Sequence, residues 1–161
     1  MPSKKAYKVF GDFVKGLTTL SKCKDRQVAC MICDKNLQQI YSIGINGGPS
    51  GADEHLECLC STETKYSCIH AEANALTKLS DHVPHKIMIS SLAPCMQCAS
   101  LIVNELGGFD AVLFIEDWKE PMALQLLIEK GIHVGKLKED GTIEWLFNGW
   151  NMVGALQDLH Q

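Results

Sequence analysis

The sequence predicts an α/β fold: a partly parallel sheet with helices on both faces. Two observations predict it. Short β-compatible runs alternate with helical segments from Val28 to Val134. Alternation of that kind implies right-handed crossovers between parallel strands. The second observation is size and balance. The chain has 161 residues, 46% hydrophobic and 21% charged, which suits a single domain spanning 1–161 with a sizeable core.

Each element has a local cause. Phe10, Phe13, Val14 and Leu17 fall at helical spacing, so Ala6 to Leu20 reads as an amphipathic helix. Val28 to Cys33 and Ile40 to Ile45 read as a hairpin around the turn Asp34-Lys35-Asn36. A cysteine-rich insert follows at about 46–68, with Gly47, Gly48, Pro49 and Gly51 at its start. A stretch of that length without regular structure is usually functional. Then come a helix from His70 to Leu79, a strand Ile87–Ser90 and a helix Cys95–Leu106 stopped by Gly107-Gly108. A strand Ala111–Ile115, a helix Met122–Lys130 ended by Gly131 and a strand Ile132–Val134 complete the pattern. The tail from Ile143 to Leu159 carries no decisive period.

The net charge is −4, from 15 Lys+Arg against 19 Asp+Glu. A nucleic-acid polymer is not the expected partner, because neutralising its phosphates needs a basic face. No run of about 18 apolar residues is present, so no membrane span is expected. From Met1 onward no secretory signal is visible, which predicts a cytoplasmic chain. Eight cysteines are the outlying number. In a reducing compartment, closely spaced cysteines indicate metal rather than disulfides.

Two motifs carry chemistry. The first is His70-Ala71-Glu72 and the second is Pro94-Cys95-Met96-Gln97-Cys98. Cys95 and Cys98 share one helix face in a first turn, where free N–H groups and the helix dipole favour thiolates. Two thiolates and one imidazole suit a catalytic zinc with a position left open for water, whose pKa the metal lowers towards ~7. Glu72 stands close enough at a helix terminus to exchange a proton with that water. Cys30 and Cys33 also read Cys-x-x-Cys, but residues three apart on a strand face opposite ways. They are expected in the core. His55, His82, His85, His133 and His160 read as structural. Trp145 and Trp150 read as packing or subunit-contact residues, and Trp118 as a cover for the sheet end or a neighbour of the substrate.

His-x-Glu followed by Pro-Cys-x-x-Cys resembles the signature of zinc nucleobase deaminases. The segments Cys68–Leu76, Ser91–Ala99 and Gly44–Gly51 resemble, in order, three segments of deoxycytidylate (dCMP) deaminases, with Ile45 where tyrosine is usual. The resemblance runs from about Ser21 to Lys136. It implies a cytidine deaminase-like three-layer α/β/α sandwich with a mixed five-stranded sheet. It implies His70, Cys95 and Cys98 as ligands of a catalytic zinc and Glu72 as the proton shuttle. Zinc-activated water would attack C4 of cytosine, giving dUMP and ammonia, in the supply of dTTP precursors. Asn46 and Ala71 would contact the substrate. The resemblance further implies a homohexamer, activation by dCTP with Mg, and inhibition by dTTP. Some phage-type relatives carry a second, structural zinc, and its ligand places correspond here to Cys23, Cys58, Cys60 and Cys68.

Alternatives stay open on these residues. The substrate could be dCTP, deoxycytidine or a modified dCMP. A tRNA adenosine deaminase fits less well, since Asn74 matches the dCMP pattern and the charge is acidic. A silent zinc-binding nucleotide module is the non-enzyme reading, against which the intact Glu72 speaks. No basic cluster near the motifs marks a phosphate site.

Overall fold

A computed structural model describes residues 1–51, 68–80 and 83–147, and the backbone of 150–151. Helix α1 (Lys4–Leu17) starts at Ser3, whose Oγ accepts the Ala6 N–H at 3.2 Å. Its apolar stripe buries Tyr7, Val14 and Leu17. The helix tightens into a 3-10 turn over Thr18–Leu20, where the sequence predicted continued α-helix.

Strands β1 (Ala29–Asp34) and β2 (Ile40–Ile45) form the expected antiparallel hairpin. Its turn is held by the Asp34 carboxylate, which accepts N–H bonds from Asn36, Gln38 and Gln39. Then follow α2 (Ala71–Thr77), β3 (Lys86–Leu92), α3 (Met96–Asn104), β4 (Phe109–Glu116), α4 (Pro121–Glu129) and β5 (His133–Leu137). Strand β3 pairs antiparallel with β1 and parallel with β4, and β4 pairs parallel with β5. The sheet is therefore mixed, as expected.

It is larger than the five strands expected. The order is β2-β1-β3-β4-β5-β6-β7, with β6 (Ile143–Phe147) and β7 (Trp150–Asn151) antiparallel beyond β5. The added strands come from the tail that lacked a period. The described side chains of β6 are half-buried or exposed, which weakens alternation as a signal. Gly135 on β5 makes the pairing possible. A Cβ there would lie 2.5 Å from Ile143 Cγ2 and 3.1 Å from Trp145 Cε3.

The sheet separates two cores. On one face α2, α3 and α4 pack against Cys30, Ile32, Met88, Val112 and Val134. On the other, α1 packs against Met31, Cys33, Ile89 and Leu113. Cys30 and Cys33 thus face opposite ways, both fully buried, as strand geometry requires. Trp145 packs on the α1 side and meets the His133 ring edge to face, 6.1 Å between centroids. Among the described residues, no helix is long and apolar enough to cross a membrane. Cys58, Cys60, His55, His82, His160 and most of the cysteine-rich insert lie outside the described residues, as does the Trp150 side chain.

Candidate metal and active site

The two motif helices begin side by side at one end of the sheet. Helix α2 is seated by close backbone contact with β2. A Cβ on Gly44 would lie 1.9 Å from the Ala71 carbonyl oxygen and 2.6 Å from the Ala75 nitrogen, so only glycine admits the approach. Ser42 Oγ donates to the Ala75 carbonyl at 2.8 Å. Asn74 Nδ2 donates to the Ile45 carbonyl at 2.8 Å. These bonds fix the start of α2 beside the end of β2. His70 is the extended N-cap and Glu72 lies in the first turn. The cap conformation explains how residues two apart reach one place: His70 is outside the helical rotation that would separate them.

Helix α3 follows β3 directly. The Ala93 N–H donates to the Glu116 carbonyl at 2.8 Å, joining the ends of β3 and β4. Cys95 is the N-cap and Cys98 is buried in the first turn. His70 Nδ1 stands 3.3 Å from Cys98 Sγ and 3.4 Å from Cys95 Sγ. The three ligand atoms lie within 4.8 Å of one another. Cys98 Sγ is 3.5 Å from Glu72 Oε2, and Glu72 is only 4% exposed.

The electrostatics follow from this crowding. Hydrogen bonds from Cys98 and then His70 hold the Cys95 thiol down at about 4. Cys98, the partner that keeps its proton, is pushed up by that same bond and then by burial. The bond to Cys95 raises His70. Burial raises Glu72 above the usual carboxylate value, which favours its protonated form. One imidazole nitrogen and two sulfurs converging on one point fit zinc, and a three-ligand set leaves a position for water. Glu72 lies beside that set and is not part of it.

Residues 7–115 match the family described as cytidine and deoxycytidylate deaminase zinc-binding region. The chain belongs to this family. It is 36% identical over 106 residues to the deoxycytidylate deaminase of Homo sapiens, and 37% identical over 106 residues to that of Mus musculus. Each alignment covers 60% of this chain and 57% of the relative, so the chain spans little more than half the length of those relatives. The fold is similar to that of the dCMP deaminase from cyanophage S-TIM5 in complex with dCMP and dUMP. That likeness has a TM-score of 0.71 at 24% identity, over 82% of this chain and 96% of that one.

In this deaminase-family chain His70, Glu72 and Cys95 line the floor of a cavity of about 660 Å³, and Cys98 lies behind them. Asn46, Ala71, Leu92 and Gln97 contribute to its wall, and Arg26, Trp118, Lys119 and Glu120 form its rim. The Arg26 guanidinium lies over the Trp118 ring, 4.4 Å from its centroid, and Lys119 Nζ lies 5.3 Å from it. Sequence reading missed Arg26, Lys119, Glu120 and Gln97. Arg26 and Lys119 are distant along the chain and become neighbours only through the indole, so no local cluster announced them.

Asn46 lines the cavity at 4% exposure, but its side chain is occupied with the main chain. Its Oδ1 accepts the Val28 N–H at 2.9 Å and the Ser21 hydroxyl at 2.6 Å. Its Nδ2 donates to the Arg26 carbonyl at 2.7 Å and faces Cys68 Sγ at 3.9 Å. Asn46 therefore shapes the segment that presents Arg26. Cys23 is buried, and its N–H donates to Ser21 Oγ at 3.2 Å, so Ser21 and Asn46 link Cys23 to Cys68.

Proposed function

We propose that this chain is a single deaminase domain that converts dCMP and water to dUMP and ammonia, supplying precursors of dTTP. The observation that carries the reading is Glu72, a buried carboxylate set against the His70–Cys95–Cys98 cluster at the floor of an open cavity. A closed structural site has no use for such a group. The deoxycytidylate deaminases to which the chain is similar, and the phage neighbour holding dCMP and dUMP, favour this substrate.

Zinc held by His70, Cys95 and Cys98 would supply Lewis-acid activation of water. The chain's own residues do the rest. Glu72 takes a proton from the attacking water and delivers it to ring N3. It then takes the remaining hydroxyl proton and passes it to the departing amine, which leaves as ammonia. Burial raises its pKa, which helps it hold the proton between the two transfers. Ala71 and Asn46 border the base and sugar. Arg26 and Lys119, exposed at the rim, meet the 5′-phosphate.

The finer expectations belong to the same reading. We place a second zinc on Cys23, Cys58, Cys60 and Cys68, supported by the Ser21–Asn46 link between Cys23 and Cys68. A cytoplasmic homohexamer, activated by dCTP with Mg and inhibited by dTTP, completes the assignment.

The test is ammonia release and the ultraviolet change with dCMP, dCTP, deoxycytidine and cytosine. The zinc-loaded protein should turn over dCMP fastest. Preference for another cytosine compound would move the assignment to it, and no turnover of any would favour a silent module. Metal analysis should find two zinc per chain, falling towards one in Cys68→Ser. One zinc in both proteins would remove the second site.

A further inference from the structure

The segment after β4 holds a carboxylate that neither the metal set nor the proton transfer uses. Glu120 Oε2 accepts the Met96 N–H at 2.8 Å. That donor is the first of α3, one residue after Cys95, and a first-turn N–H has no partner within its own helix. The other oxygen, Glu120 Oε1, accepts the Trp118 indole N–H at 3.4 Å. Glu120 itself is the N-cap of α4, so its backbone is anchored while its side chain reaches outward. Trp118 stands in a stretch without regular secondary structure, and its ring is the surface on which Arg26 and Lys119 rest.

We propose that Glu120 is a positioning residue that holds the Trp118 ring, and with it the two rim cations, in register with the helix carrying Cys95 and Cys98. The geometry gives this one carboxylate both attachments. A ring with a free N–H could rotate about its side-chain bonds, and the cations stacked on it would move with it. A cation displaced by an ångström weakens grip on a charged group far more than on an uncharged one. Glu120 therefore tunes affinity for a phosphorylated substrate over its unphosphorylated counterpart by way of the ring and its cations. This inference rests on the reading that Arg26 and Lys119 face the substrate phosphate.

The experiment is a double-mutant cycle on zinc-loaded, full-length protein with Glu120→Ala, Trp118→Phe and the pair. Glu120→Ala should raise KM for dCMP about tenfold, change kcat less than about threefold, and leave KM for deoxycytidine nearly unaltered. In the Trp118→Phe background the same change should add little, because the ring N–H it holds is gone. Trp118 emission, taken as the difference between each protein and its Trp118→Phe counterpart, should shift to longer wavelength and quench more readily with acrylamide in Glu120→Ala. Glu120→Gln keeps one acceptor oxygen and should fall between. The proposal is overturned if Trp118 emission is unmoved, or if the KM effect is as large without the indole. If wild-type protein deaminates no cytosine compound, the functional reading fails, while the emission arm still decides whether Glu120 holds the ring.

Discussion

At the floor of the cavity, four chemically active groups stand at the N-terminal ends of two helices, with α2 seated by a close backbone approach to β2 and the segment before α3 joined to β4 by the Ala93–Glu116 bond. At the rim, the cations and the indole stand on irregular segments and are held by side chains alone. Ala71 lies against Gly44 with no room for a methyl group, whereas Arg26 reaches Trp118 across solvent-exposed space. The difference separates two tasks. On the proposed reading, metal ligation and proton transfer need fixed atoms, and their groups sit on closely packed helix starts. On the same reading, grip on a phosphate tolerates long, exposed side chains, provided something sets their resting place.

The largest expected effect strikes the floor. Glu72→Gln keeps size and position but cannot exchange the proton. Turnover of dCMP should fall by about 10²–10⁴-fold, while zinc content stays at the wild-type level. Activity persisting in that variant would show that the proton travels another way. Next in size is the seat itself. In Gly44→Ala the new methyl meets backbone of α2, which has no side chain to swing aside. Such overpacking costs about 1–3 kcal/mol. Urea unfolding should show that loss, and the displaced first turn should release zinc more readily to a chelator. A Gly44→Ala protein with unchanged stability and metal retention would break the contrast between a rigid floor and an adjustable rim.

The same contrast explains what could be read from the sequence. His70, Glu72, Cys95 and Cys98 were legible because each pair is local and a helix start turns spacing into geometry. The hairpin and the alternating helices and strands were legible from periodicity, with ends displaced by one to a few residues where caps rather than apolar spacing decide. The rim was not legible. Arg26 and Lys119 share no period and no motif, and what joins them is an indole whose place depends on where β4 ends. Strand β6 escaped for a related reason. It covers the edge of β5 with half-exposed side chains, and the small residue that admits it, Gly135, is on the partner strand.

A smaller effect is expected at the rim. Arg26→Ala removes one cation from a site where Lys119 remains, so KM for dCMP should rise about tenfold, the equivalent of one charge-assisted hydrogen bond. KM for deoxycytidine should stay nearly constant, and raised salt should narrow the gap between the two proteins. Equal losses for both substrates would mean that Arg26 supports the wall of the cavity and not the phosphate.

The smallest effect concerns reactivity alone, and it contrasts one residue type in two settings. Without metal, Cys95 at the floor has its thiol lowered to about 4, because Cys98 and His70 hydrogen-bond its charged form. Cys33, buried under α1, has its thiol raised to about 12, because burial penalises the charge and Asp34 repels it. The sign is opposite in the two places. At pH 6 Cys95 is almost wholly thiolate, while Cys33 at pH 8 is ionised to only about one part in 10⁴. Thiolate is the form that alkylates, although a low pKa also lowers its intrinsic nucleophilicity. Iodoacetamide at pH 6, followed by peptide mass mapping of the chelator-treated protein, should therefore modify Cys95 and leave Cys33 and Cys30 untouched. Raising the pH to 8 should not bring the strand cysteines into reaction while the fold holds. Zinc should protect Cys95, since a coordinated sulfur is no longer free to attack. Labelling of Cys33 in folded protein at pH 8 would mean that the α1 face opens and exposes a thiol that the fold buries completely.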